Sequence, residues 1–155
     1  MKGSAMPQSL SKMVVHLTFS TKDRRPLITS EIREELRAYL GGTLRDMDCP
    51  SLVIGAVADH VHILFVLSRK HSLAEVVEEI KKTSSKWIKG RGEALGEFYW
   101  QRGYGAFSVS QSKIEDTKAY IASQEEHHRE VSFQDDFRAF LVRHEIDFDE
   151  RYVWD

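Results

Sequence analysis

Asp59-His60-Val61-His62-Ile63-Leu64-Phe65-Val66-Leu67 is an apolar, β-branched and aromatic run that carries two imidazoles two residues apart. Such a run reads as a buried strand. Side chains alternate across a strand, so His60 and His62 are expected on one face, with Val61 and Ile63 on the other. Two imidazoles on one pleated face are half of a metal site; the same pair also suits a hydrogen-bonded core position. A catalytic cation would need a third ligand from elsewhere in the chain.

Outward from this stretch, Ser51-Leu52-Val53-Ile54-Gly55-Ala56-Val57 reads as a second strand. Ala58-Asp59 leads tightly from it into the histidine strand, which predicts a hairpin. Upstream, Met13 to Ser20 is the first strand signal, followed by the basic loop Thr21-Lys22-Asp23-Arg24-Arg25-Pro26, either a phosphate-contacting edge or a solvated turn. Thr29 or Ser30 can cap a helix to about Leu40, with Ile32, Leu36 and Leu40 on one face and Gly41-Gly42 as its stop. Downstream, Ser72 and Glu75 have capping-box spacing and open a helix to about Lys89, with Leu73, Val76, Val77 and Ile80 inward. Its Lys81, Lys82, Lys86 and Lys89 form either a solvated basic face or a DNA contact.

Phe98 to Val109 sets aromatics among glycines and ends as a fourth strand. Those aromatics either stack unpaired bases or fill the core. Ser112 with Glu115 predicts a capped helix to about His128, in which Tyr120 and Gln124, four residues apart, share a face. Ser132 can cap a last helix from Phe133 to about His144, and the acidic tail 146–155 is expected to pack its Phe, Tyr and Trp side chains onto the domain.

The 155 residues suit one domain spanning 13–155 behind a mobile leader, 1–12. A chain of this length buries roughly two-thirds of its unfolded surface. The lone Cys49 cannot pair within the chain, and no apolar run reaches the roughly 18 residues of a membrane span, so a cytoplasmic location without membrane contact is expected. The formal charge of −2 hides an asymmetry: residues 1–110 carry a balance of +4 and residues 111–155 one of −6. The basic excess accompanies the histidine strand, where a local patch can bind phosphates.

The order strand, helix, strand, strand, helix, strand predicts an α+β, ferredoxin-like (RRM-like) fold: a four-stranded antiparallel sheet with helices on one face and extra helices at the C-terminus. Four segments in that order carry a resemblance. They are His60-Val61-His62, Lys82-Thr83-Ser84-Ser85-Lys86, Trp100 to Tyr104, and Tyr120-Ile121-Ala122-Ser123-Gln124. Together they resemble the single-tyrosine transposases of the HUH nuclease superfamily, which move small bacterial insertion sequences or act at repetitive extragenic palindromes. Glu126-His127-His128-Arg129 and the closing Asp149 to Asp155 are similar to the palindrome-associated branch.

The resemblance implies that His60, His62 and Gln124 are ligands of a divalent metal, Mg²⁺ or Mn²⁺, with His128 as a rival to Gln124. It implies that Tyr120 is the nucleophile, forming a 5′-phosphotyrosine on single-stranded DNA beside hairpins, and that the protein is a homodimer in which Tyr120 can serve the partner's histidines. A phenol with a pKa near 10 is mostly protonated at neutral pH; the sequence shows no base beside Tyr120. A non-catalytic RRM-like module that binds single-stranded nucleic acid is the alternative, and it leaves the histidines and the Tyr120/Gln124 pair without a role. A histidine phosphoesterase would carry two separated His-x-Thr/Ser motifs, which this sequence lacks.

Overall fold

In the computed structural model, which describes residues 7–127 and 131–155 except the side chains of Glu125 and Glu126, the histidine run forms β3 (His60–Leu67) inside a four-stranded antiparallel sheet. Its companions are β1 (Met13–Ser20), β2 (Ser51–Ala56) and β4 (Gly105–Ser108), in the order β2-β3-β1-β4. This is the ferredoxin-like arrangement that the element order predicts. β1 pairs with β3 along its whole length, Met13 opposite Leu67 and Ser20 opposite His60. Part of the leader, residues 1–6, lies outside the described residues.

The period-two alternation gives the sheet two different faces. Leu17, Phe19, Val61, Ile63 and Phe65 point to one, where α1 (Ser30–Asp46) and α2 (Leu73–Lys89) bury Leu36, Leu40, Val76 and Ile80 against them. Ser72 caps α2 through the capping box with Glu75. The opposite face carries His16, Thr18, His60 and His62. It is covered by the C-terminal elements α3 (Ile114–Ala122), α4 (Gln124–His127) and α5 (Phe133–Arg143). Helices therefore lie on both faces, with the polar one beneath the C-terminal set.

Three local expectations are corrected. α1 does not stop at Gly41-Gly42 but runs to Asp46, because Leu44 lies one turn beyond Leu40 and is fully buried with it. Burying a leucine contributes roughly 1.5–3 kcal/mol, enough to offset the roughly 2 kcal/mol that two helical glycines cost. Ser112 does not cap α3. It sits in a 3₁₀ turn (Gln111–Lys113), and the helix begins at Ile114, whose side chain packs on the sheet. Only part of the tail is anchored: Val153 and Trp154 pack against the cluster of Phe133 and Phe137, whereas Tyr152 is exposed.

Gly55, opposite His62 in the β2–β3 ladder, decides how closely α3 approaches. A Cβ placed there would stand 2.9 Å from both the Cγ2 and the carbonyl oxygen of Ile121, the neighbour of Tyr120. Gly55→Ala must therefore push α3 off the sheet. It is expected to lower stability by about 1–3 kcal/mol, the usual range for overpacking, measured as an earlier midpoint in urea. An unchanged midpoint would count against this close contact.

Candidate functional site

On the polar face Ser20 pairs with His60 and Thr18 with His62, so His16 lies diagonal to His62 across β1 and β3. All three imidazoles are buried. The Nδ1 of His62 is 2.8 Å from the Nε2 of His16, and the Nδ1 of His60 is 2.7 Å from Oδ1 of Asp59. The ring centroids of His60 and His62 are 5.1 Å apart. Burial pushes the His16 imidazole down to about 4, so this ring is neutral at pH 7. A neutral ring has one acceptor and one donor nitrogen, and its Nε2 faces the Nδ1 of His62.

α3 delivers Tyr120 to these histidines. Ile114 and Ile121 are buried against Val14 and Leu64, and this docking sets the phenol ring 5.6 Å from the His62 ring and 6.1 Å from that of His16. The Tyr120 hydroxyl donates to Oδ2 of Asp136, a buried residue of α5. The Nε2 of His127 is 3.3 Å from the other carboxylate oxygen. Burial first, and then the Asp136 hydrogen bond, push the Tyr120 pKa above the ordinary phenol value. The hydroxyl is protonated and aimed at a carboxylate.

The helix breaks after Ala122, and Gln124 opens α4 instead of continuing α3. Gln124 is nevertheless buried, and its Nε2 donates to the Tyr120 carbonyl oxygen at 2.9 Å. The expected pair thus stays together across the break. Phe133, at the start of α5, packs its ring 4.7 Å from that of His60 and closes that side of the face. His128 lies outside the described residues.

Among the described residues, no group of three or more His, Cys, Asp or Glu side chains is arranged to hold a metal ion. The donors expected from the sequence are instead two imidazoles and a carboxamide. Imidazole and amide donors fit a divalent cation whose shell water and substrate oxygens complete, and they imply weak binding to the free protein. The donor set fits the group that the sequence resemblance implies.

The basic and aromatic segments divide between structure and surface. Lys81 donates to the carbonyl oxygens of Gln101, Arg102 and Gly103 at 2.8, 3.1 and 2.6 Å, so it staples a loop. Burial pushes its amine down to about 8, while three acceptors in contact favour the charged form with its three N–H donors. Trp100 and Phe98 are core: the Trp100 indole N–H donates to Ser84 Oγ at 2.9 Å. Tyr99 remains exposed, with Lys89 and Lys22 nitrogens 4.2 and 5.9 Å from its ring centroid.

The sequence did not point to His16, Asp59, His127 or Asp136 as members of this cluster. His16 needed the β1–β3 register, and Asp136 needed the packing of α5 over Tyr120. Neither contact has a local signature.

The sequence profile described as "Transposase IS200 like" matches residues 9–124. No curated protein matches this chain significantly. Among solved structures, a candidate transposase from Deinococcus radiodurans R1 superposes with a TM-score of 0.60 at 21% identity, covering 80% of this chain and 97% of its own. A REP-associated tyrosine transposase bound to a REP hairpin superposes with a TM-score of 0.59 at 19% identity, covering 83% of this chain and 76% of its own. At these identities the likeness is one of fold. No helix among the described residues is long and apolar enough to cross a membrane.

Proposed function

Because this chain belongs to the IS200-like transposase family, we propose that residues 13–155 form one catalytic domain that nicks and rejoins single-stranded DNA beside hairpins through a 5′-phosphotyrosine on Tyr120. The observation that carries this reading is the contact, within one chain, of the Tyr120 ring with His62 and thereby with the paired imidazoles. The hairpin-bound relative supports hairpin DNA as the partner.

His60, His62 and Gln124 would hold Mg²⁺ or Mn²⁺, which supplies positive charge at a phosphate oxygen during attack. With Nδ1 of His60 engaged by Asp59 and Nδ1 of His62 by His16, Nε2 is the nitrogen that each would present. For His62 to present its Nε2 lone pair, its Nδ1 must carry the proton and donate to Nε2 of the neutral His16 2.8 Å away. The Tyr120 oxygen attacks phosphorus, the bond to the 3′-oxygen breaks, and that oxygen leaves as a 3′-hydroxyl after taking up a proton. Asp136, already accepting the phenol's hydrogen bond, is the group that takes the Tyr120 proton. The phosphotyrosine conserves the diester's reactivity, so a second 3′-hydroxyl can displace Tyr120 and complete strand transfer. Every residue in this scheme comes from one chain. A homodimer, implied by the resemblance, is measured by light scattering.

The test is incubation with labelled hairpin DNA from the flanks of the gene, with Mn²⁺ or Mg²⁺, followed by a denaturing protein gel. A shifted, labelled band that disappears with EDTA is the expected result. Binding without any adduct, over several hairpins and both metals, would favour the non-catalytic module. Asp136→Asn removes the proton acceptor but keeps the shape, and is expected to slow adduct formation on the order of 10²-fold at neutral pH. Single-turnover rates at saturating DNA measure this. Wild-type rates in that variant would exclude Asp136 as the base.

A further inference from the structure

His127 ends a line of three polar groups that runs from the candidate nucleophile toward the protein surface. The Tyr120 hydroxyl donates to Oδ2 of Asp136, and Oδ1 of the same carboxylate is 3.3 Å from Nε2 of His127. The Asp136 side chain is 11% exposed and that of His127 31%, so the imidazole is the more solvent-facing of the two. Its ring also meets the phenol edge to face, with centroids 5.3 Å apart. α4 carries this ring one turn beyond Gln124. The backbone there is tied on both sides: the His127 N–H donates to the Ser123 carbonyl oxygen at 3.0 Å, and the His127 carbonyl oxygen accepts from the Val131 N–H at 3.1 Å.

A carboxylate has two equivalent oxygens and a broad, roughly two-fold terminal torsion, so the side chain's own preferences do not point Oδ2 at the phenol. Alignment needs a contact on the other oxygen. The aspartate of a hydrolytic triad orients its histidine in the same way, and here the roles are exchanged. The imidazole supplies the contact when its Nε2 carries a proton, since the ring then donates to Oδ1. Alignment matters more here than for an ordinary tyrosine, because burial and then Asp136 push the phenol's pKa up. His127 and Asp136 both lie beyond residues 9–124, the part that matches the family profile, so the pair belongs to this chain's C-terminal elements.

We propose that His127 is a positioning residue for the cleavage step: it holds Oδ1 of Asp136 so that Oδ2 stays aimed at the Tyr120 hydroxyl and receives its proton. The inference rests on the reading of Tyr120 as the nucleophile. In that step the Tyr120 O–H bond breaks and an O–H bond forms on Oδ2. The phenol oxygen's electron pair makes the bond to phosphorus as the bond to the 3′-oxygen breaks. Asp136 then releases its proton to solvent and the 3′-oxygen takes one from solvent, which restores the carboxylate. His127 keeps its own proton throughout and acts only through Asp136.

The experiment pairs single-turnover adduct rates, on hairpin DNA from the gene's flanks in saturating Mn²⁺, with NMR of protein whose tyrosines are isotopically labelled at Cζ. Tyr120→Phe assigns the Tyr120 signal. His127→Leu keeps the bulk and removes the donor; it is expected to slow the adduct roughly tenfold, as small misalignments of reacting groups do, and to move the Tyr120 signal. His127→Gln, whose carboxamide N–H can replace the one on Nε2, should keep most of the rate and leave the signal near its wild-type position. Affinity for the hairpin in EDTA should be unchanged in both. Added to Asp136→Asn, His127→Leu should cost nothing further, because the carboxylate through which it acts is gone. A histidine that only supports the fold would lower the melting temperature and slow the double variant by its full separate factor. Wild-type rates in His127→Leu, a His127→Gln as slow as His127→Leu, or additive losses in the double variant would each overturn the proposal. A wild-type protein that forms no adduct removes the cleavage reading instead. The Tyr120 signal then judges the positioning by itself, which falls if His127→Leu leaves that signal unmoved.

Discussion

Tyr120→Phe is expected to bind hairpin DNA within about threefold of wild-type affinity and to form no covalent adduct and no strand-transfer product. The substitution removes one oxygen, the atom that would attack phosphorus, and keeps the ring that packs against His62, His16 and Phe140. Its structural cost is the hydrogen bond to Asp136. Leaving a buried acceptor with one fewer donor costs about 1–3 kcal/mol, and His127 remains 3.3 Å from the same carboxylate. A thermal melt separates this loss from loss of chemistry. An adduct that survives in Tyr120→Phe would move the nucleophile to another residue and remove the foundation of the mechanism.

His62→Ala and His60→Ala are expected to reduce the adduct rate by 10³-fold or more at Mn²⁺ levels that saturate the wild-type protein, about 4 kcal/mol of transition-state stabilisation. Each deletes one of two imidazole donors from a set in which the third is a weak carboxamide, so the remaining ligands should not retain a cation. The effect should exceed that of Asp136→Asn, because a solvent proton acceptor can replace Asp136 whereas water cannot reproduce a fixed imidazole. The alternative, a hydrogen-bonded histidine core, makes the opposite forecast: lower stability with an intrinsic rate close to that of wild type. Titrating Mn²⁺ against the adduct rate distinguishes them, since loss of a ligand raises the metal requirement and loss of a core contact does not.

Much of the architecture could be read from the chain. The period-two run 60–67 placed both histidines on one face of an interior strand. The Ser72/Glu75 and Ser132 caps marked helix starts that the structure has. Boundaries failed where tertiary contacts outweighed local signals. Two glycines were absorbed by α1 because Leu44 found a buried place, and α3 began at Ile114 because that side chain docks on the sheet. Lysine and aromatic residues could not be sorted by pattern alone: Lys81 and Trp100 turned inward, while Tyr99 stayed out.

The candidate site divides along the same line. Strand alternation put His60 and His62 on one face and helical spacing put Tyr120 and Gln124 on another, whereas their roles as ligands and nucleophile are what the family resemblance implies. His16 and Asp136 could not be placed from the sequence, since each depends on a contact between segments distant in sequence. The register of β1 on β3 brings His16 to His62. The docking of α5 over Tyr120 brings Asp136 to the phenol. The sequence determined which residue types share a face. Only the tertiary structure, through burial of Ile121 against Gly55 and of Phe133 and Phe137 against the sheet, decided which faces meet and so which carboxylate stands beside the tyrosine.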